Sequence, residues 1–254
     1  GKHEVLVAII DTGIDYTHAA FGGPGTKMAY DLNDPSWIEG TTFPTVKVID
    51  GYDFAGTTYN ADPSSPNYQP VPNPDDDPLD EQSHGTHVAS ISAGMAAGDV
   101  MTGTAPGATL MALKVFGRSG STTLTIDALE WATLQYIYTG KPEIINMSLG
   151  SSFGTNDPDD PSVQGTNNAA ETGIIVVASA GNSGDNSYIT GSPGSADRAI
   201  SVAASETGYS ILDGFEVITP SSIADVHPGL QSVRYDWSSS DLPITGTLVY
   251  PEAG

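Results

Sequence analysis

The 254 residues contain no cysteine. That excludes a disulfide framework, a thiolate zinc site and a cysteine nucleophile, and it leaves the compartment unread. Basic residues are scarce too: 8 Lys and Arg face 31 Asp and Glu, for a formal charge of −23 and a pI of about 4.1. Phosphate backbones are bound through Lys and Arg clusters that release counterions, and none is present, so nucleic acid and anionic membrane surfaces are disfavoured as partners. No apolar run reaches the roughly 18 residues of a spanning helix, and no basic stretch followed by an apolar one marks a signal peptide. The chain opens at Gly1 only a few residues before an apolar run, as expected of a mature N-terminus or a cut fragment. Charged residues make up only 15%, while glycine (29) and proline (18) abound, which fits a turn-rich folded protein better than a disordered acidic one.

This length suits one large domain with part of a second. Short apolar runs read as buried strands at Val5 to Ile10, Thr109 to Phe116, Ile144 to Leu149, Gly173 to Ala178 and Ala199 to Ala204. Between them, His84 to Ala97 and Leu124 to Tyr138 carry helical patterns, and Asn167 to Glu171 closes a weaker third helix. Strands alternating with helices imply an α/β fold with a mainly parallel sheet covered on both faces. Ligands in such sheets bind beyond the carboxyl ends of the strands, where DTG, NMSLG and ASAGN all fall. Tyr30 to Gln82, rich in Pro and Asp, reads as a long loop, and from about Ile211 short strands and turns replace the helix signals. The expected division is a main domain over residues 1–208 and a β-rich segment over 209–254.

Taken singly, the polar motifs are ambiguous. A strand ending in Asp11-Thr12-Gly13 also suits an aspartic protease, but a second carboxylate in such a motif is missing, and a lone DTG is more often a capped turn. His84 and His87 share a helical face, yet His3, His18 and His227 stand at no zinc-ligand spacing. Asp75, Asp76, Asp77, Asp80 and Glu81 form an acidic run that offers oxygen ligands to calcium without the spacing of an EF-hand, and a solvated loop is its plainer reading.

Taken in order, VAIIDTGID, HGTHVAS and VVASAGN resemble the signature blocks of the subtilases, the subtilisin-like serine proteases, over roughly Val5 to Ala204. The resemblance implies a subtilisin-like three-layer fold, with Asp11 as the triad carboxylate, His84 as the general base and His87 as the second, non-catalytic histidine. Asn182 matches the oxyanion-hole asparagine, whose loss in subtilisin costs about 10²–10³ in rate. Ser148, Leu149 and Gly150 resemble one strand that pairs with the substrate backbone, and Gly120 and Ser121 resemble its partner. Ser179, Ala180 and Gly181 then line the pocket for the residue before the cleaved bond. Protein or peptide substrates, secretion, structural calcium and no cofactor for the chemistry follow as family expectations.

The sequence departs from the family in one decisive place. The nucleophile block GTSMA has no counterpart, and neither Ser192 nor Ser195 stands in a matching string. Ser90 occupies a position where the family usually has glycine. The β-rich tail resembles the opening of a protease-associated domain inserted before the serine block, so the serine is expected downstream and this chain is expected to be inactive alone. The rival readings are a peptide-binding pseudoprotease and a calcium-binding structural module.

Overall fold

The computed structural model describes residues 4–98, 102–205 and 213–229. They belong to two compact units, residues 1–203 and 204–254.

The first unit is built on a six-stranded sheet. Its strands are β1 (Leu6–Asp11), β2 (Val48–Asp53), β3 (Thr109–Lys114), β4 (Ile144–Met147), β5 (Ile175–Ser179) and β6 (Ile200–Val202). They lie in the order β2-β3-β1-β4-β5-β6, and every adjacent pair is parallel. Four α-helices accompany them among the described residues: α1 (Lys27–Asp31), α2 (His84–Ala93), α3 (Thr125–Thr139) and α4 (Pro161–Glu171). The pleat sorts the core. Leu6, Ala8 and Ile10 of β1 pack with Ala128, Leu129 and Ala132 of α3 and Ala169 of α4, while Val7 and Ile9 pack with Ala89 and Ala93 of α2. The α/β class, with helices on both faces of a parallel sheet, is as the alternation implied.

The differences lie where local signals are weak. The loop expected from Tyr30 to Gln82 contains β2, because VIDGYD carries an Asp and a Gly that read as a turn; the strand is bulged between Val48 and Asp50 and gains its register from β3. The second helix stops at Ala93 rather than Ala97, where Gly94 leaves helical geometry. The weak third helix closes at Glu171 as expected, and its start, which the pattern left open, is at Pro161: Asp160 accepts from the amides of Ser162 and Val163, a cap with proline at the first turn.

Cover on the sheet is uneven. On the face that packs α2, the far strands are open: Ile175 is 49% exposed, Ile200 54% and Val202 53%. In-register pairing of Val177 with Ile200 and of Ser179 with Val202 puts these residues on one face, whereas Val176 and Ala178 on the other are buried under α3 and α4. Parallel sheets are normally buried on both sides.

In the second unit, β7 (Asp213–Val217) pairs antiparallel with β8 (Asp225–Gly229). The stretches SVRYDWSSS and PITGTLVYPEAG lie outside the described residues, as does His3.

Candidate active site

Asp11 is the last residue of β1, at the carboxyl edge of the sheet, and is 1% exposed. The chain then turns through Thr12 and Gly13, where glycine is required: φ is +106°, and a β-carbon would sit 2.5 Å from the Pro78 carbonyl oxygen. α2 starts against this turn. A β-carbon on Gly85 would sit 2.2 Å from the Gly13 carbonyl oxygen, and the Gly85 amide donates to Thr12 Oγ1 at 2.8 Å. Two tight contacts thus bring together residues 73 positions apart: His84 Nδ1 lies 2.7 Å from Asp11 Oδ1.

The partners fix the tautomer. Asp11 Oδ1 also accepts the Thr12 amide at 2.7 Å, and an ionised carboxylate only accepts, so Nδ1 of His84 carries a proton, and in the neutral imidazole the lone pair is on Nε2. Burial pushes the Asp11 carboxyl above its ordinary value, while the bonds from His84 and Thr12 pull the other way. Asp11 Oδ2 is buried with no hydrogen-bond partner among the described residues, so the His84 N–H is the main compensation for the buried charge. The imidazole itself is 57% exposed. It borders an open hollow of about 490 Å³ lined by His18, Ser83, His84, Thr86, His87 and Ser90. A base with a fixed tautomer and an open Nε2 is equipped to take a proton from a hydroxyl within hydrogen-bond reach of that nitrogen.

The other expected site residues share this edge. Asn182 is exposed in the turn after β5, and β5 is two strands from β1, roughly 10 Å at ordinary strand spacing. Ser148, Leu149 and Gly150 follow β4, the strand between them. The Ser179 hydroxyl donates to the Leu149 carbonyl at 3.1 Å, tying the expected peptide-pairing strand to the expected pocket wall. Some main-chain groups along this edge are already engaged. The Ser121 amide is taken by Asn60 Oδ1 and its carbonyl by the Ala61 amide, because the loop after β3 folds onto Asn60. Ala180 donates to the Val202 carbonyl and accepts from Gly191, so it too is engaged inside the unit. Gly120, at φ +92°, packs against the Asn60 side chain. Ser192 and Ser195 bond each other at 3.1 Å, and Ser195 donates to the Thr155 carbonyl at 2.6 Å, an arrangement that braces a turn.

The acidic run is dispersed rather than gathered around one point. Asp75 accepts the Asp77 amide, and Asp77 takes the Tyr16 hydroxyl at 2.8 Å; burial raises both carboxyls to about 6. Asp80 bonds the start of α2, Asp76 is exposed, and Glu81 holds Lys114 at 3.1 Å and Arg118 at 2.8 Å. No group of three or more metal-ligating side chains exists among the described residues, His18, His84 and His87 included.

Sequence reasoning missed Lys114. It is fully buried on β3, in register with Asp11, and pairs with Asp53 at 2.8 Å and with Glu81. Burial favours the neutral amine, but the two carboxylates outweigh it and hold the ammonium charged. A lysine closing the apolar run TLMALK was the available signal.

The family model of the subtilases, peptidase S8, matches residues 2–250. The chain is 35% identical over 203 residues to the minor extracellular protease Vpr of Bacillus subtilis, covering 80% of this chain and 20% of that protein. It is 32% identical to the thermophilic serine proteinase of Bacillus sp. strain AK1, covering 78% and 37%. A PII-type proteinase of Lacticaseibacillus paracasei is 33% identical, with 79% and 11% covered. This chain therefore spans well under half the length of each of these relatives. Among solved structures, sphericase matches with a TM-score of 0.54 and 26% identity, over 90% of this chain and 59% of that one. The S41 psychrophilic protease shares the fold, with a TM-score of 0.55 and 24% identity over the same shares.

Proposed function

This chain belongs to the subtilase family, and we propose that it supplies the acid–base half and the oxyanion donor of a secreted serine endopeptidase whose nucleophile lies on polypeptide beyond these residues. The observation that carries this reading is the 2.7 Å contact between Asp11 and His84 with Nε2 left open. In the complete enzyme, Nε2 takes the serine proton as the serine oxygen bonds to the peptide carbonyl carbon. Asp11 stabilises the resulting imidazolium, and the Asn182 amide donates to the oxygen that becomes negative. The imidazolium then protonates the departing amine, leaving an ester that water, activated by His84, hydrolyses.

The uncovered sheet face supports the same reading. Ile175, Ile200 and Val202 leave an apolar stretch open on the face of the sheet that packs α2, which a further segment of the polypeptide would cover. Substrate backbone pairs along Ser148 to Gly150 and at Gly120, while Ser179 and Gly181 border the pocket. The residues after 208 open a protease-associated insert. Secretion is proposed from the Vpr relative, which is named as extracellular.

A chain extended past Gly254 to the next subtilase-like serine block should hydrolyse fluorogenic casein, and Ala at that serine should abolish it. Casein cleavage that survives this substitution would overturn the reading.

A further inference from the structure

The start of α2 lacks the usual cap. Ser83, at its N-terminus, has a left-handed backbone (φ 76°) and makes no capping bond with its own side chain. A non-glycine residue in that region is strained, and the first amides of a helix need acceptors from elsewhere. Asp80 serves both needs, with Thr12 taking the Gly85 amide. Its Oδ1 accepts the Gln82 amide at 2.8 Å and the Ser83 amide at 3.0 Å. Its Oδ2 accepts the Thr86 amide at 2.9 Å and the Thr86 hydroxyl at 2.6 Å. Asp80 is 2% exposed, so these bonds form out of water, where an unmade one is costly.

The clamp also reaches the acid. The Thr86 hydroxyl, while donating to Asp80, accepts the Asp15 amide at 2.8 Å, and Asp15 follows the turn that begins at Asp11. One carboxylate thus fixes the residue before His84, the residue two after it, and through Thr86 the chain that carries Asp11. Asparagine offers one oxygen and would turn N–H groups toward two of the four donors, so it does not substitute.

We propose that Asp80 is a positioning residue of the triad: its carboxylate fixes the entry into α2 and so holds the His84 imidazole on Asp11. This rests on the reading of Asp11 and His84 as an acid–base pair.

The test is NMR of the 254-residue chain, with three readouts: the His84 tautomer from long-range nitrogen–proton couplings, the His84 Nδ1–H resonance, and amide exchange at Thr86 and His87. Wild type should show the Nδ1-protonated tautomer alone. Asp80→Asn should raise exchange at both amides about tenfold, the size of a lost cap, erase the Nδ1–H resonance and mix the tautomers. Thr86→Val should move all three readouts the same way by less, and it carries the test if Asp80→Asn fails to fold, as judged from the amides of Ile9 and Leu113. Thr86→Ser should behave as wild type. Faster exchange with an unchanged Nδ1–H resonance in both Asp80→Asn and Thr86→Val would overturn the proposal, leaving Asp80 a helix cap alone. Asp11→Asn serves as the control for the underlying reading: a His84 tautomer unaffected by it would reject the acid–base pair itself, whatever Asp80 does.

Discussion

Replacing Asp11 by Asn in a chain that contains the nucleophilic serine should lower kcat by about 10⁴-fold while leaving KM within a few-fold of wild type. The amide keeps the size of the carboxylate; turned toward His84 it gives up the bond from the Thr12 amide, which also ends on Oδ1, but the turn through Thr12 and Gly13 keeps its contacts with Gly85 and should survive. What changes is the proton on His84. An Asn amide directed at Nδ1 donates to it, which moves the imidazole proton to Nε2 and leaves no lone pair to receive the serine proton. The imidazolium also loses the negative charge beside it. Because Asp11 is 1% exposed and its second oxygen has no other partner among the described residues, no nearby group compensates. The kinetics of peptide hydrolysis measure this, and a fall of less than tenfold would remove Asp11 from the catalytic role.

A second large effect is expected in stability. Lys114→Met should destabilise the fold by about 3–5 kcal/mol at neutral pH, because it strands the Asp53 carboxylate, which is 0% exposed, without its ammonium. Glu81 keeps Arg118 and suffers less. Stranded carboxylates have raised pKa values in the folded state, so the folded protein binds protons more readily than the unfolded one, and the deficit should shrink as pH falls. Urea denaturation from pH 8 to pH 5 measures both the size and the slope. A loss under about 1 kcal/mol, or one that is flat with pH, would show that the buried network contributes little. Adding Asp53→Asn to Lys114→Met should restore much of the stability at pH 8.

The contrast between these two positions shows what the sequence makes legible. Asp11 and His84 could be read because each directly follows or begins a local pattern: VLVAII ends in a turn that starts at the aspartate, and HGTH opens a helical run. Their order and the glycines beside them carried the family resemblance, and Gly13 and Gly85 prove to be the contact points that bring the pair together. Lys114 and Asp53 could not be paired that way, since their meeting depends on β2 lying beside β3, and β2 itself was hidden by its internal Asp and Gly. Asp80 was visible as one member of an acidic run, read as a solvated loop with calcium as the lesser alternative. Backbone amides and the Thr86 hydroxyl take up its oxygens, an arrangement set by the strained entry into α2 that spacing does not reveal. Likewise, Ser121 and Ala180 fall in the right blocks, but the folded loops take their main-chain groups for internal bonds.

If Asp11 and His84 form a complete acid–base pair awaiting a serine from elsewhere in the polypeptide, intact-mass measurement after incubation with a fluorophosphonate tests it most directly, because that reagent bonds to a serine oxygen activated by such a base. The 254-residue chain should take up no adduct, while the extended chain should take up one per molecule, on the downstream serine, and lose it with His84→Ala. One adduct per molecule on the 254-residue chain, abolished by His84→Ala, would contradict the account by placing the nucleophile between Gly1 and Gly254.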